Sequence, residues 1–134
     1  MSGFQREYDP QLTYGNCMVD LFAIINTNGA SPNIQYSNIP GVTVSHIATG
    51  QYRLQFPTVN GVLQIPANAA TCLVGADIGT AASANLNCTY NKANLATSGY
   101  LDIFTLSGGA AADLASPDEL SVSFTFKDTG VARP

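Results

Sequence analysis

The chain has 134 residues and a formal net charge of −4, with 46% hydrophobic and only 10% charged residues. This length predicts one domain with a buried core, and the scarcity of basic residues argues against nucleic-acid binding. No apolar run approaches the roughly 20 residues of a membrane helix, and the first residues, MSGFQREYDPQ, lack the pattern of a secretory signal. We therefore expect a protein that stays in the cell that makes it, or leaves by assembly into a particle.

The polar surface must consist mainly of Ser, Thr, Asn, Gln and Gly, because charged residues usually amount to about 25% of a chain. Neutral hydroxyls and amides cost less to desolvate than charges do. A surface of this kind suits packing against other protein. This composition is also shared by many extracellular β domains.

The hydrophobic pattern has a period of two nearly throughout, which predicts β-strands. Residues 17–25 (CMVDLFAII) are apolar on both faces except at Asp20 and predict a buried strand. Asn28-Gly29 is a strong turn signal. Residues 31–40 (SPNIQYSNIP) contain two prolines, so a strand there should be short or lie at a sheet edge.

Residues 42–56 (VTVSHIATGQYRLQF) alternate on both sides of Ala48-Thr49-Gly50 and predict a hairpin, with Gly50 in the left-handed region. On its second strand, three large apolar side chains share one face and are predicted core residues: Tyr52, Leu54 and Phe56. Residues 59–65 form a further run that turns at Asn60-Gly61.

Five more segments complete the pattern. Strands are predicted over residues 72–78 (CLVGADI), 85–90 and 100–106 (YLDIFTL), with Gly75 as a bulge or a point of close approach. Residues 107–119 (SGGAAADLASPDE) predict a surface loop with one helical turn near its end. The last strand, LSVSFTFK, points one set of side chains inward: Leu120, Val122, Phe124 and Phe126.

These elements predict an all-β antiparallel sandwich or barrel of about seven or eight short strands. We assign residues 15–128 to the β domain, residues 1–14 to an N-terminal arm and residues 129–134 to a C-terminal tail. Both ends contain aromatic, Gly or Pro residues without periodicity.

His46 is the one histidine in the chain and the natural candidate for a general base. It lies within a predicted strand, on the face shared by Val42 and Val44, while the neighbouring Ser45 points the opposite way. No serine stands in a Gly-x-Ser-x-Gly motif. A half-buried or interface histidine is therefore favoured over a catalytic one.

The carboxylates and thiols give no stronger signal for chemistry. Nothing in the sequence brings two carboxylates together for glycoside hydrolysis, although candidates exist at Asp20, Asp77, Asp102, Asp113, Asp118 and Glu119. The three cysteines, Cys17, Cys72 and Cys88, form no CxxC pair and are expected to be small buried residues. A bridge between Cys72 and Cys88 stays open, though a cytosolic origin argues against it. We expect no catalytic residue, cofactor or metal.

Several motifs resemble those of small virion structural proteins of tailed bacteriophages. They are Gly41-Val42 with Val44, then Gly50, Tyr52, Leu54 and Phe56, then Ala112-Asp113 and Pro117-Asp118 ahead of the last strand. The likeness covers roughly residues 14–127. The resemblance implies a capsid decoration (cement) protein with a jelly-roll-like sandwich, found on the capsid exterior and made in the host bacterial cytoplasm. It supplies no catalytic residues.

The resemblance also implies partners: the major capsid protein, whose neighbouring subunits it would bridge, and further copies of the chain in a dimer or trimer. We expect no nucleic acid or membrane partner. Aromatic and Arg side chains are strong interface anchors, so the residues predicted to bridge the shell lie on the two ends: Phe4, Arg6, Tyr8, Tyr14 and Arg133. A shared β-edge, or the face of Met18, Phe22 and Ile24, is predicted to join copies of the chain. Related β domains also end tail fibres. A receptor-binding domain that recognises a host glycan or protein is therefore the alternative, and the lack of a shaft in 134 residues weakens it.

Overall fold

The computed structural model describes residues 18–28, 30–65, 69–79 and 85–127. The predicted N-terminal arm, residues 1–14, and the predicted tail, residues 129–134, lie outside this part of the chain. Neither helix in the described ranges is long and apolar enough to cross a membrane.

Eleven β-strands and two short helices follow one another along the described chain. The strands are β1 (Met18–Asn26), β2 (Asn33–Ser37), β3 (Thr43–Ala48), β4 (Gln51–Gln55), β5 (Thr58–Val59), β6 (Val62–Leu63), β7 (Leu73–Gly79), β8 (Leu86–Asn91), β9 (Tyr100–Ser107), β10 (Ala110–Ala111) and β11 (Glu119–Lys127). A 3₁₀ helix spans Ala69–Thr71, and α1 spans Leu95–Ser98.

The long strands form two antiparallel sheets. The first sheet has the order β2-β1-β11-β7, so the first and last strands pair at its centre. In the second sheet, β9 pairs with β4 on one side and with β8 on the other. Strand β3 pairs with the far side of β4, and the short β10 pairs with the end of β9. Within the part of the chain that the structure describes, β5 and β6 pair with each other and form a separate two-stranded sheet. The predicted all-β sandwich is confirmed, and the strand count exceeds the prediction because β5, β6 and β10 have two residues each.

The core lies between the two sheets. From the first sheet, the predicted face of β11 is confirmed: Leu120, Val122, Phe124 and Phe126 are between 0% and 1% exposed. From the second sheet, the predicted core face of β4 is confirmed in the same way, with Tyr52 and Leu54 fully buried. The rings of Phe56 and Phe124 meet edge to face with centroids 5.3 Å apart, which joins the two sheets.

Glycines make the predicted hairpins possible. Gly50 has φ 69° in the β3–β4 turn, and Asn60-Gly61 has φ 52° and 79° between β5 and β6. Consecutive left-handed residues match the right-handed twist of two strands that a two-residue turn connects. Both turn predictions are confirmed.

The prediction of a loop over residues 107–119 is wrong in two places. Gly108 and Gly109 have φ 60° and 87° and form a two-residue turn that pairs β10 with β9. The predicted helical turn near residues 116–119 is not formed: Ser116 and Pro117 lie in a turn, and β11 begins at Glu119. The Gly-Gly pair favours the hairpin because glycine adopts left-handed backbone angles without steric cost.

Strand β1 is buried on one face only. Ala23 and Ile25 are fully buried, whereas Phe22 and Ile24 on the opposite face are half-buried. The expectation of a strand buried throughout is therefore wrong for this outer face, because no further layer of the described structure packs on the first sheet. Strand β2 lies at the sheet edge, as its prolines predicted.

Candidate binding surface

His46 is tied to a carboxylate that the sequence pattern could not connect to it. Its Nε2 lies 2.9 Å from Oδ1 of Asp113, which also accepts a hydrogen bond of 2.6 Å from the Gly50 amide. The imidazole packs edge-on against the Tyr52 ring, with centroids 5.5 Å apart. The Tyr52 hydroxyl in turn accepts a hydrogen bond from the Leu114 amide at 3.1 Å. These contacts fasten the β3–β4 hairpin to the segment after β10.

Hydrogen bonding keeps Asp113 ionised in this cluster. Partial burial acts to raise its pKa, but the bonds from the Gly50 amide and His46, with the attraction of the imidazole, outweigh burial, so the pKa is lowered. A histidine bonded to a carboxylate is also how hydrolases orient a general base. In the described residues, however, the contacts of His46 are to Asp113 and Tyr52, and neither described groove borders it. In this structure the His46–Asp113 pair holds the β3–β4 turn against the segment after β10.

Three of the other carboxylates have separate partners. Asp102 receives two hydrogen bonds from Arg53, at 2.7 and 3.1 Å, and the guanidinium lies 3.8 Å above the Tyr100 ring. Asp20 accepts from the Thr125 hydroxyl at 2.9 Å, and Asp77 accepts from the Ile78 amide at 2.9 Å. No hydrogen bond in the described structure joins two of these three carboxylates to each other.

Cys72 and Cys88 are free thiols, so the disulfide bond between them that the sequence left as an alternative is not formed. Burial raises the pKa of both thiols, which keeps them protonated. Cys17 lies outside the described residues. Within the described ranges, no three His, Cys, Asp or Glu side chains are close enough together to hold a metal ion.

The outward side of the first sheet, here called the outer face, carries several large apolar side chains among its polar residues. The Phe22 and Tyr36 rings contact each other at a centroid distance of 5.5 Å. Tyr36 is 64% exposed and Leu73, on the far edge of the sheet, is 71% exposed. Ile24 pairs with Tyr36 in register and continues the patch. The apolar side chains thus lie along both edges of the face.

A groove of about 390 Å³, the outer groove, runs between these edges. Phe22 and Ile24 form one side and Asp77 stands on the other. The register sets Phe22 opposite Ser123, and Ser123 opposite Gly75, so two small residues form the floor there. A Cβ added at Gly75 would lie 2.9 Å from the Ser123 Oγ. The predicted close approach at Gly75 is confirmed, without a bulge in this register.

A second apolar recess, the end cleft, lies where β5 and β6 leave the sandwich. It measures about 490 Å³ and is lined by Leu21, Ile39, Pro40, Gly41, Phe56, Pro57, Val59 and Gln64. Beside it, Val59 and Val62 of the β5–β6 hairpin are 52% and 61% exposed. Together the outer groove and the end cleft give the sandwich two surfaces that can bury apolar side chains of another molecule.

Only some of the predicted contact residues lie in the part of the chain that the structure describes. Phe22 and Ile24 lie side by side at the outer groove, as half-buried residues. Met18 begins β1, and its side chain is not described. Phe4, Arg6, Tyr8, Tyr14 and Arg133 lie outside the described residues, so their roles stay predictions. The sequence reasoning missed the contributions of Tyr36, Leu73 and Asp77.

Those missed residues had only a weak signal in the sequence. Leu73 precedes Val74 in an apolar run, so alternation does not say which of the two points outward. Tyr36 follows the bulge between Ile24 and Ile25 of the paired strand, and a bulge reverses which residues face out.

No protein-family model, curated protein or solved structure matches the chain.

Proposed function

We propose that the chain is a non-enzymatic virion structural protein, a capsid decoration or cement protein that binds the outside of a phage capsid shell. The observation that carries this proposal is the outer face, where Phe22, Ile24 and Tyr36 form an apolar patch and Leu73 is exposed on the far edge of the sheet. Large contiguous apolar patches on soluble proteins mark interaction sites. The resemblance described above supplies the kind of partner, the major capsid protein.

Binding to an assembled shell would stabilise it by mass action. A molecule that binds only the assembled state lowers its free energy by RT ln(1 + [L]/Kd) at each site. If each copy contacts two neighbouring capsid subunits, rupture of the shell must also break those contacts. Aromatic side chains such as Tyr36 suit this role, since they bury a large area at little cost in conformational entropy.

The N-terminal arm and the C-terminal tail belong to the same proposal. Phe4, Tyr8 and Tyr14 would bury area against the shell, while Arg6 and Arg133 would pair with its carboxylates. The chain would act as a dimer or trimer on the virion exterior. The low charge of the sequence supports this, because neutral polar surface is cheap to cover.

Particles that lack the chain, mixed with the purified protein, provide the test. We expect saturable binding that raises the temperature at which the shells rupture. Deletion of residues 1–14 should abolish this binding and leave the thermal unfolding of the isolated protein nearly unchanged. Full binding by the deleted protein would refute the role of the arm, and an absence of binding by the intact protein would refute the proposed function.

A further inference from the structure

We infer that the outer groove binds an extended segment of a partner protein in which a large apolar side chain is flanked by Lys or Arg. This identifies the chemistry of the partner at the proposed surface, and it rests on the proposed function only for the source of the segment, the capsid protein. The inference is drawn from the shape of the groove, its apolar side and its charge.

The outer groove can accommodate a peptide segment in an extended conformation. It follows β11, with β1 and β7 on either side, so it spans two strand spacings, about 9.5 Å. Ser121 and Ser123 lie along its length, and Gly75 adds no side chain. An extended segment can lie along this floor, where serine hydroxyls can donate to or accept from its backbone.

One side of the groove offers a site for a large apolar side chain. Phe22 and Ile24 form this side, and Tyr36 supports Phe22 from behind. The opposite wall differs from this apolar wall, because it carries the Asp77 carboxylate. By register, Asp77 lies across Ser121 from Ile24, while Gly75 lies across Ser123 from Phe22. A segment whose apolar side chain packs on Phe22 therefore passes the carboxylate two residues further along, which favours a cation at that position.

Charge completes the argument. On the outer face, the charged side chains that the structure describes are all carboxylates: Asp20, Asp77 and Glu119. The described cations are engaged elsewhere, Arg53 with Asp102 and Lys92 with the Cys72 carbonyl at 2.7 Å. By register, Lys127 at the end of β11 belongs to the same face, and its side chain is not described. Three carboxylates against one lysine still leave this face negative on balance, which favours a partner with Lys or Arg.

The same charges argue against a second copy of the chain as the occupant. In a two-fold symmetric dimer the same patch meets itself. Each outer face would bring three carboxylates and one lysine, Lys127, so two such faces repel each other on balance, and like charges in contact disfavour association. Phe22 and Ile24 are thus better suited to a different, basic partner than to the self-association that the sequence also suggested.

Synthetic peptides test this chemistry directly. Acetylated, amidated Lys-Val-Phe-Val-Lys sets both cations and the ring on one side of an extended chain, and Glu-Val-Phe-Val-Glu and Lys-Ser-Ser-Ser-Lys serve as controls. We expect the first peptide to shift the amide NMR signals of Gly75, Ser121 and Ser123 and to bind at least tenfold more tightly than either control. Equal binding of all three, or shifts confined to other residues, would overturn the inference.

Variants separate the groove from a general charge effect. Asp77→Asn and Thr43→Lys each change the net charge by one in the same direction, but Thr43 is exposed on β3 of the second sheet. Asp77→Asn and Tyr36→Ser should weaken peptide binding at least threefold, while Thr43→Lys should leave it within twofold of wild type. Equal weakening by Asp77→Asn and Thr43→Lys would contradict the site.

The inference and the proposed function can fail independently. If the intact chain binds shells and Asp77→Asn binds them equally well, the function stands and the groove inference is overturned. If the chain binds no shells but binds the basic peptide at Gly75, Ser121 and Ser123, the groove chemistry stands and the capsid proposal is overturned. Concentration-dependent dimerisation that Tyr36→Ser abolishes would assign the face to a second copy instead.

Discussion

Replacing Phe124 with alanine should lower the free energy of unfolding by about 3–5 kcal/mol. Phe124 is fully buried, meets Phe56 edge to face and stacks on Phe126 with a centroid distance of 6.1 Å. Its removal leaves a cavity at the junction of the two sheets, which the rigid strands can fill only in part. Because small domains are stable by only about 5–15 kcal/mol, this loss is large.

Denaturant titration of the Phe124→Ala protein measures the effect, and Phe104→Ala provides the matched control. Phe104 is half-buried on β9, whose neighbouring residues Ile103 and Thr105 are the ones that point into the core. Its truncation should cost less than half as much as that of Phe124. Equal losses for the two variants would show that the region around Phe124 is not the centre of the core.

Replacing Gly50 with alanine should be nearly as damaging, at about 3 kcal/mol from backbone strain and overpacking together. Gly50 has φ 69°, and an added Cβ would lie 2.7 Å from the Thr105 carbonyl oxygen and 2.8 Å from the Ala112 nitrogen. Both are backbone atoms, so neither can rotate away. The change also displaces the amide that donates to Asp113.

Gly61→Ala separates strain from crowding. Gly61 has φ 79° but no atom within 4 Å of an added Cβ, so only the left-handed backbone is penalised, by about 1–2 kcal/mol. We expect thermal unfolding of Gly50→Ala to occur several degrees below that of Gly61→Ala. The close packing at Gly50 would be disproved if the two variants melted at the same temperature.

Much of the core could be predicted from the sequence because strand periodicity is a local property. Tyr52, Leu54 and Phe56, and the alternating residues of β11, are buried as the period of two indicates. A turn could be predicted where a dipeptide that contains glycine is a specific turn signal, as at Asn60-Gly61. The Gly108-Gly109 hairpin carried the same signal, but the alanines after it gave β10 no pattern to recognise.

The surface could not be predicted, since it depends on which strands become neighbours. The outer groove joins β1 and β7 across β11, and these strands lie far apart in the sequence. The bond between His46 and Asp113 likewise spans 67 positions and depends on a hairpin and a loop meeting in space. The sequence favoured a half-buried or interface histidine at position 46 but could not name its partner, because no local pattern links a strand residue to a distant loop.

The number of copies of this chain in a purified virion tests the central proposal most directly. A shell repeats each binding site by symmetry, so a capsid decoration protein should be present at hundreds of copies, measurable by quantitative mass spectrometry against the major capsid protein. Stoichiometry that is a simple fraction of the capsid subunits is the predicted result. A few to a few tens of copies, or none, would contradict it and favour a tail or receptor-binding component.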